Sequence, residues 1–350
     1  MKSNIILFAA CALMLVAGCE KTPQSTPSTE NGGITAYVLN EGTWGWNNAE
    51  ISVLDSNGIV ADWFSRNNGR GLGDVAQDMI HYGNRLYVSV YMSNTIEVVD
   101  PMTGKSIKQI DMGQRGPRYL LGHEGKIYVS CYDKTLVRID TATLSIEATC
   151  PLSGMQPEEL CVLGENIYVC NSWQYDDNGN SIYDNSLYII DATTFTEIGK
   201  LDVGVNPSKI KALDSHRLVV ACAGNYSSAP AQTIVIDVAD NSQTELSIAA
   251  TEFDIDGGDI YLYNTSYDEN WSPTANFYRI DGQTLAAHPI LQSHGSTLNN
   301  AYSINVDPNT HNLYITNSPY GANADLYIFD PSGSELGRHE VGVYASKIVF

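Results

Sequence analysis

Apolar and polar positions alternate over short runs of four to seven residues, and no stretch past residue 33 carries a helical period. One type of run recurs as AYVLN, LYVSV, IYVSC, IYVCN, LVVAC, IYLYN and LYITN. A second apolar run follows each and ends in Asp: at Asp55, Asp100, Asp140, Asp191, Asp237, Asp281 and Asp330, spaced 40 to 51 residues apart. After most of these come a short turn and a further strand, as in DPMTGKSIKQIDMG. Ahead of several lies another, opened by Pro117, Pro157 or Pro207. Four short strands per repeat, with dense turn signals, are the signature of a propeller blade.

The pattern predicts an all-β fold: a seven-bladed β-propeller with four antiparallel strands, A to D from the axis outward, in each blade. The first repeat lacks an A strand. The chain ends in GVYASKIVF, which aligns with GVNPSKIKA at Gly204 to Ala212. The C-terminal segment is therefore expected to complete blade 1 and remove two open sheet edges. A many-stranded sandwich has no reason to repeat its unit seven times.

The N-terminus reads differently. Lys2 and IILFAACALMLVA form a basic n-region and an apolar h-region of signal-peptide length. Val16-Ala17-Gly18-Cys19 is a lipobox, so residues 1–18 are expected to be removed and Cys19 lipidated. Residues 19–33, rich in Pro, Ser and Thr, read as a flexible tether, and 34–350 as the propeller. A lipid on a tether holds a protein at a membrane surface rather than inside it.

Forty acidic against 19 basic residues give a net charge of −21, which repels a phosphate backbone and argues against nucleic acid as a partner. Past Cys19 five cysteines remain, an odd number without a CxxC, and three end apolar strands. They read as small core residues rather than a disulfide frame or a zinc site.

In a propeller the B–C and D–A loops share one face, here called the top. The A–B and C–D turns of this chain are short and bland. The B–C loops are long in blades 1, 4, 5, 6 and 7, and short in blades 2 and 3 (YMSN and YDK). They carry Trp44, Trp46, Tyr91, Tyr132, Trp173, Tyr175, Tyr183, Tyr226, Tyr267, Trp271 and Tyr320. D–A loops add Arg66, Asn67, Asn68, Arg115, Gln156, Asn206 and Tyr344. Aromatics on one rim among Asn, Asp and Gly describe a ligand-binding surface. Packing against neighbouring blades is the competing role, and about half of the aromatics are expected to serve it. Asn40, Asn171, Asn264 and Asn317 align at the ends of B strands and are expected to ring the top of the channel.

Asp176 to Asp184 alternates carboxylates and amides as calcium loops do, but its Gly is misplaced and the closing Glu is missing, so it reads as a solvated turn. The histidines scatter, four of them near A–B turns on the opposite face. No Ser–His–Asp set, HExxH or paired carboxylates converge on the top, so neither an enzyme nor a bound metal or cofactor is expected.

The lipobox, the seven repeats and NEGTWGWNNAEISVLD after a short tether resemble the YncE-like propeller lipoproteins of Bacteroidetes, whose opening N-E-G-x-x-G-x-N is similar. The likeness spans Ile34 to Phe350. One branch of that group captures vitamin B12 and related corrinoids and hands them to a TonB-dependent transporter. The resemblance implies a lipid-anchored outer-membrane protein on the cell surface, with the periplasmic face as the alternative. It further implies a monomer with cobalamin as ligand and such a transporter as partner. Glycan binding and protein docking are the alternatives, since sugars also stack on Trp and Tyr.

Overall fold

A computed structural model describes residues 33–350. The expected signal segment, Cys19 and most of the tether lie outside the described residues. Within them, the strands form seven antiparallel sheets of four. The innermost strands are Ala345–Val349, Ala76–Tyr82, Pro117–His123, Gln156–Leu163, Pro207–Ala212, Glu252–Asp256 and Ala301–Val306, for blades 1 to 7 in that order. Each touches the next, and the last touches the first, so the ring is closed.

Closure is made where the repeat alignment places it. Ala345–Val349 pairs with Ala36–Asn40, bringing Ile348 opposite Val38 and Lys347 opposite Leu39. Phe350 then packs edge-on against Tyr314 of blade 7, with ring centroids 4.9 Å apart.

Burial explains the apolar pattern. Strand B of each blade lies between two neighbouring blades and is covered on both faces, so Arg85–Val90 and Lys126–Cys131 are buried after their first residue. Strand D is half in water, and Thr196–Asp202 alternates exposed and half-buried positions. The core is divided accordingly. Seven apolar clusters lie one at each joint between blades; Tyr87 and Ile96 of blade 2, for instance, pack with Leu120, Ile127 and Val137 of blade 3.

The recurring Asp has a local cause. At the end of each C strand its carboxylate accepts backbone N–H groups of the C–D turn. Asp100 takes those of Met102 and Thr103, and Asp281 those of Gln283 and Thr284. Asp55, Asp140, Asp191, Asp237 and Asp330 do the same. Only a short side-chain acceptor reaches back into its own turn this way.

One element departs from the sequence pattern. Trp63–Asn68, in the connection from blade 1 to blade 2, is a short helix. Glu50 at the top of a blade 1 strand accepts the Phe64 and Ser65 N–H groups and so holds its first turn.

Candidate functional site

The blades are stitched together around the axis by polar side chains of the innermost strands. Lys347 of blade 1 pairs with Asp78 of blade 2 at 3.2 Å. Asp78 also accepts the Leu120 N–H of blade 3 at 2.9 Å. Arg118 of blade 3 meets Glu158 of blade 4 at 3.0 Å, and Glu159 accepts the Ile210 N–H of blade 5 at 2.8 Å. Lys209 and Lys211 reach Glu252 and Asp254 of blade 6, both at 2.6 Å. Asp254 accepts the Val306 N–H of blade 7, and Asn305 accepts the Ile348 N–H of blade 1. Every joint thus has a polar contact beside the channel.

These groups sit out of bulk water, and their protonation reflects it. Burial opposes the Lys209 ammonium, but Glu252 beside it holds its pKa well above the ordinary value. Burial also works against the Asp254 carboxylate; Lys211 and two backbone N–H groups outweigh it, and its pKa falls. Tyr119 is pushed to about 12, chiefly by burial. Glu41 and Glu159 move the other way from Asp254, because burial raises them more than their partners lower them.

Inside this ring lies a cavity of about 570 Å³. Its deeper wall carries Asp78, Tyr119, Glu159, Lys209 and Lys347; its upper wall comes from blades 6, 7 and 1, with Tyr267, Asn300, Tyr302, Ser318 and Glu41. Tyr302 donates its hydroxyl proton to Glu41 at 3.0 Å.

Aromatic clusters stand on the top-face loops. Trp44 meets Tyr91 edge-on at 6.3 Å, and Tyr91 meets Tyr132 at 5.3 Å. The Arg118 guanidinium lies 4.4 Å from the Tyr132 ring centre, and the Tyr132 hydroxyl donates to Glu158 at 2.5 Å. Tyr91 and Tyr132 are therefore partly structural. Arg115 pairs at 3.8 Å with Asp133 in the short loop beside them. The Trp44 loop is shaped by Gly42, where a Cβ would lie 2.7 Å from Ala49 N at a φ of +76°. Asp74 clamps the loop by accepting the Gly45 N–H with both oxygens.

The long loops of blades 4 and 6 continue their strands as ribbons above the ring. Trp173 pairs across its ribbon with Tyr183 and touches Tyr175 at 5.0 Å. Tyr183 reaches Tyr226 of blade 5 at 6.3 Å, and Tyr267 meets Trp271 at 6.2 Å. Tyr344 touches both Tyr302, at 6.0 Å, and Tyr320, at 6.2 Å. Trp46, Trp271 and Tyr320 are 73, 81 and 95 % exposed, and Tyr226 is also exposed.

Several expected residues are placed elsewhere. Arg66 and Asn68 belong to the short helix on the outer flank between blades 1 and 2. There Arg66 pairs with Asp62, and Asn68 donates to Gly104 O and accepts the Ser106 N–H. Asn206 is 5 % exposed; it takes the Ser172 hydroxyl proton and donates to Gly224 O. Of the four asparagines expected to ring the channel, Asn40, Asn171 and Asn317 are buried within the blades instead, whereas Asn264 is half-buried and its Oδ1 has no hydrogen-bond partner among the described residues. Asn40, Asn171 and Asn317 each accept an N–H of the incoming D–A loop, from Gly342, Met155 and Asn300. A strand end facing a loop crossing needs that acceptor. In the Asp176 turn the carboxylate accepts the Asn178 and Asn180 N–H groups, so it serves its own turn. Among the described residues no group of three or more His, Cys, Asp or Glu is arranged to hold a metal ion.

Sequence reading missed the charged inner ring. The signal was present, since Arg118, Glu158, Glu159, Lys209 and Lys211 all lie within four residues of the strand-opening prolines, next to apolar positions. Charge in a strand flanked by apolar neighbours marks a face that meets polar partners.

Fold and site together define a seven-bladed β-propeller with a polar axial cavity under an aromatic-bearing face. The chain belongs to the family described as "Domain of unknown function (DUF5074)", whose model matches residues 34–341. No curated protein matches it. Among solved structures it is similar to Kuenenia stuttgartiensis hydrazine synthase, at 16 % identity and TM-score 0.60 over 75 % of this chain and 85 % of that one. It is similar to streptogramin B lyase at 12 % identity and TM-score 0.55, covering 77 % and 83 % of the two chains. It is also similar to dihydro-heme d1 dehydrogenase NirN in complex with DHE, at 14 % identity and TM-score 0.55, over 90 % of this chain and 75 % of that one. At these identities the likeness is one of fold alone.

Proposed function

We propose that the protein is a non-catalytic binder that captures a broad, largely uncharged small molecule on its top face, a corrinoid such as cobalamin being the favoured ligand. The observation that carries this reading is the set of exposed aromatics on the same face as the cavity mouth. Trp44, Trp46, Trp271, Tyr226 and Tyr320 spend apolar area on water that no neighbour covers. Such groups offer flat contacts at low entropic cost. The cavity below has the volume of a small-molecule site. It would take side arms of a disc too broad to enter whole.

Binding is favoured over catalysis because the lysines lining the cavity are committed to carboxylates. The N-terminal pattern supports anchoring through acylated Cys19 at the outer membrane, facing the cell surface, with a TonB-dependent transporter receiving the ligand. Glycan capture is the competing reading. It loses support at the ribbon tips, where Asp176 and Asp268 use their carboxylates on their own turns.

Calorimetric titration with cyanocobalamin tests the reading. The wild type is expected to bind at micromolar concentration or tighter. Trp44→Ala, Trp46→Ala, Trp173→Ala and Trp271→Ala each report on one arc of the rim. A true anchor loses about 2 kcal/mol, or about thirtyfold in Kd, with little change in melting temperature. No binding by wild type removes the corrinoid and promotes the glycan and docking readings. Binding untouched by all four substitutions moves the site off the rim.

A further inference from the structure

The axial cavity extends outward between blades 6 and 7. One wall there is the blade 6 ribbon, whose alternate residues Tyr263, Thr265 and Tyr267 all line the cavity, with Pro273 paired across the ribbon from Tyr267. The other wall is the loop entering blade 7, with Asn299, Asn300 and Tyr302. Gly295 lets that loop run close against the ribbon, since a Cβ there would lie 2.7 Å from Ala275 O. Exposure falls steadily along the first wall: Tyr267 is 61 % exposed, Thr265 is half-buried and Tyr263 is 2 % exposed. The cavity is therefore a slot here, with Tyr267 at its mouth and Tyr263 at its inner end.

Most polar groups of the slot are already engaged. The Tyr302 hydroxyl is given to Glu41, and Asn300 donates to the Asn299 side chain. Tyr263 differs. Its ring packs with Phe277 and Ile304, 5.7 Å from the Phe277 ring centre. Its hydroxyl makes no hydrogen bond to the protein among the described residues, and it is not sealed from the cavity. Burial, then the Glu252 charge, raises its pKa well above the ordinary value, so it stays a protonated donor. Such a donor is satisfied only by what occupies the cavity.

We propose that this slot is a subsite for an uncharged arm of the bound molecule ending in an acceptor oxygen, a carbonyl or a hydroxyl, with the Tyr263 hydroxyl as its donor and Tyr267 and Pro273 flanking the stem. The oxygen follows from the free phenol proton. The lack of charge follows from the neighbours. Glu252 pairs across the sheet with Tyr263 and meets Lys209 at 2.6 Å, so an ion of either sign would be drawn to one and repelled by the other. The remaining lining lysines, Lys211 and Lys347, are committed to Asp254 and Asp78. The inference rests on the reading of the top face as a capture site, and it adds where the molecule enters the cavity and by which group.

The experiment uses three small probes of one shape, propionamide, propionate and propylammonium, and so does not depend on cyanocobalamin binding. Saturation-transfer NMR on the full chain measures each against wild type, Tyr263→Phe and Tyr267→Ala. Propionamide is expected to bind wild type in the millimolar range, and both ions more weakly. Tyr263→Phe removes one oxygen that holds nothing in the protein, so the fold is kept, and it should weaken propionamide about fivefold. Tyr267→Ala, at the exposed mouth, should weaken it by a smaller factor. Failure of propionamide to bind wild type overturns the subsite. So does unchanged binding to Tyr263→Phe, or binding of either ion as tight as that of the amide. If the probes behave as expected while cyanocobalamin does not bind, the slot stands and the corrinoid reading alone falls. If cyanocobalamin binds and propionamide does not, the slot alone falls.

Discussion

Glu41 and Asp254 are both carboxylates beside the channel, yet their surroundings push them in opposite directions. Burial raises Glu41, so its charged form is less favoured in the folded chain than in the unfolded one. Its contribution to stability is fully present below the ordinary carboxyl range, near about pH 4, and is lost as pH rises through its raised value. Glu41→Gln keeps an acceptor for Tyr302 and removes the charge. It should raise the melting temperature at pH 7 and give no gain at pH 4, as read by calorimetry at both. Asp254 is lowered overall: burial disfavours its charge, but Lys211 and the Val306 N–H more than compensate. Its stabilisation is present above about pH 4 and falls away as pH drops through the depressed value. Asp254→Asn leaves Lys211 without a counter-charge and should cost about 3 kcal/mol at pH 7, measured by urea unfolding. An equal melting temperature for wild type and Asp254→Asn would show that the inner ring does not hold blades 5 and 6 together. A sequence displays both acids as the same letter class. Which has a lysine across the joint depends on residues 43 and more positions away, as with Lys211 and Asp254.

Among the elements, the C-terminal strand carries the most weight for its length. Ala345–Val349 supplies the inner strand of blade 1, the Lys347–Asp78 pair and the Ile348 N–H taken by Asn305. Deleting residues 344–350 should open two sheet edges and cost several kcal/mol, comparable to or above a large core truncation, with aggregation of the product. A truncated chain that melts with the full one would refute the role of the strand. This element was legible because GVYASKIVF repeats a motif found inside the chain. The helix at Trp63–Asn68 was not. Six residues show no period, and what holds its first turn is Glu50 on another strand. That change also carried Arg66 and Asn68 from the expected rim to the outer flank.

At the scale of the whole molecule, the propeller is a rigid mount for loops of unequal length. Blades 2 and 3 keep their top loops short, and there Tyr91 and Tyr132 lie against Arg118. Blades 4 and 6 raise paired ribbons instead. The second whole-chain feature is the proposed lipid anchor at Cys19. Cys19→Ala should remove the membrane-bound form and leave soluble or unprocessed chain, as read by detergent partitioning; an unchanged membrane fraction would reject acylation there. No described helix is long and apolar enough to cross a membrane.

By itself the sequence determined the number of blades, their order and their closure, because each rests on local signals repeated seven times. An apolar run, a turn and an Asp that caps the next turn recur whatever surrounds them. It also determined which loops are long and which aromatics they carry. Only the tertiary structure decided what those residues face. Asn40, Asn171 and Asn317 look like channel residues by alignment, but the incoming loops need their carbonyl oxygens, so they turn into the blades. Arg118, Lys209 and Lys347 look like ordinary surface charges, but closing the ring brings seven inner strands together around one axis. Charge there must find its partner on the neighbouring blade, and which partner that is becomes visible only once the ring has closed.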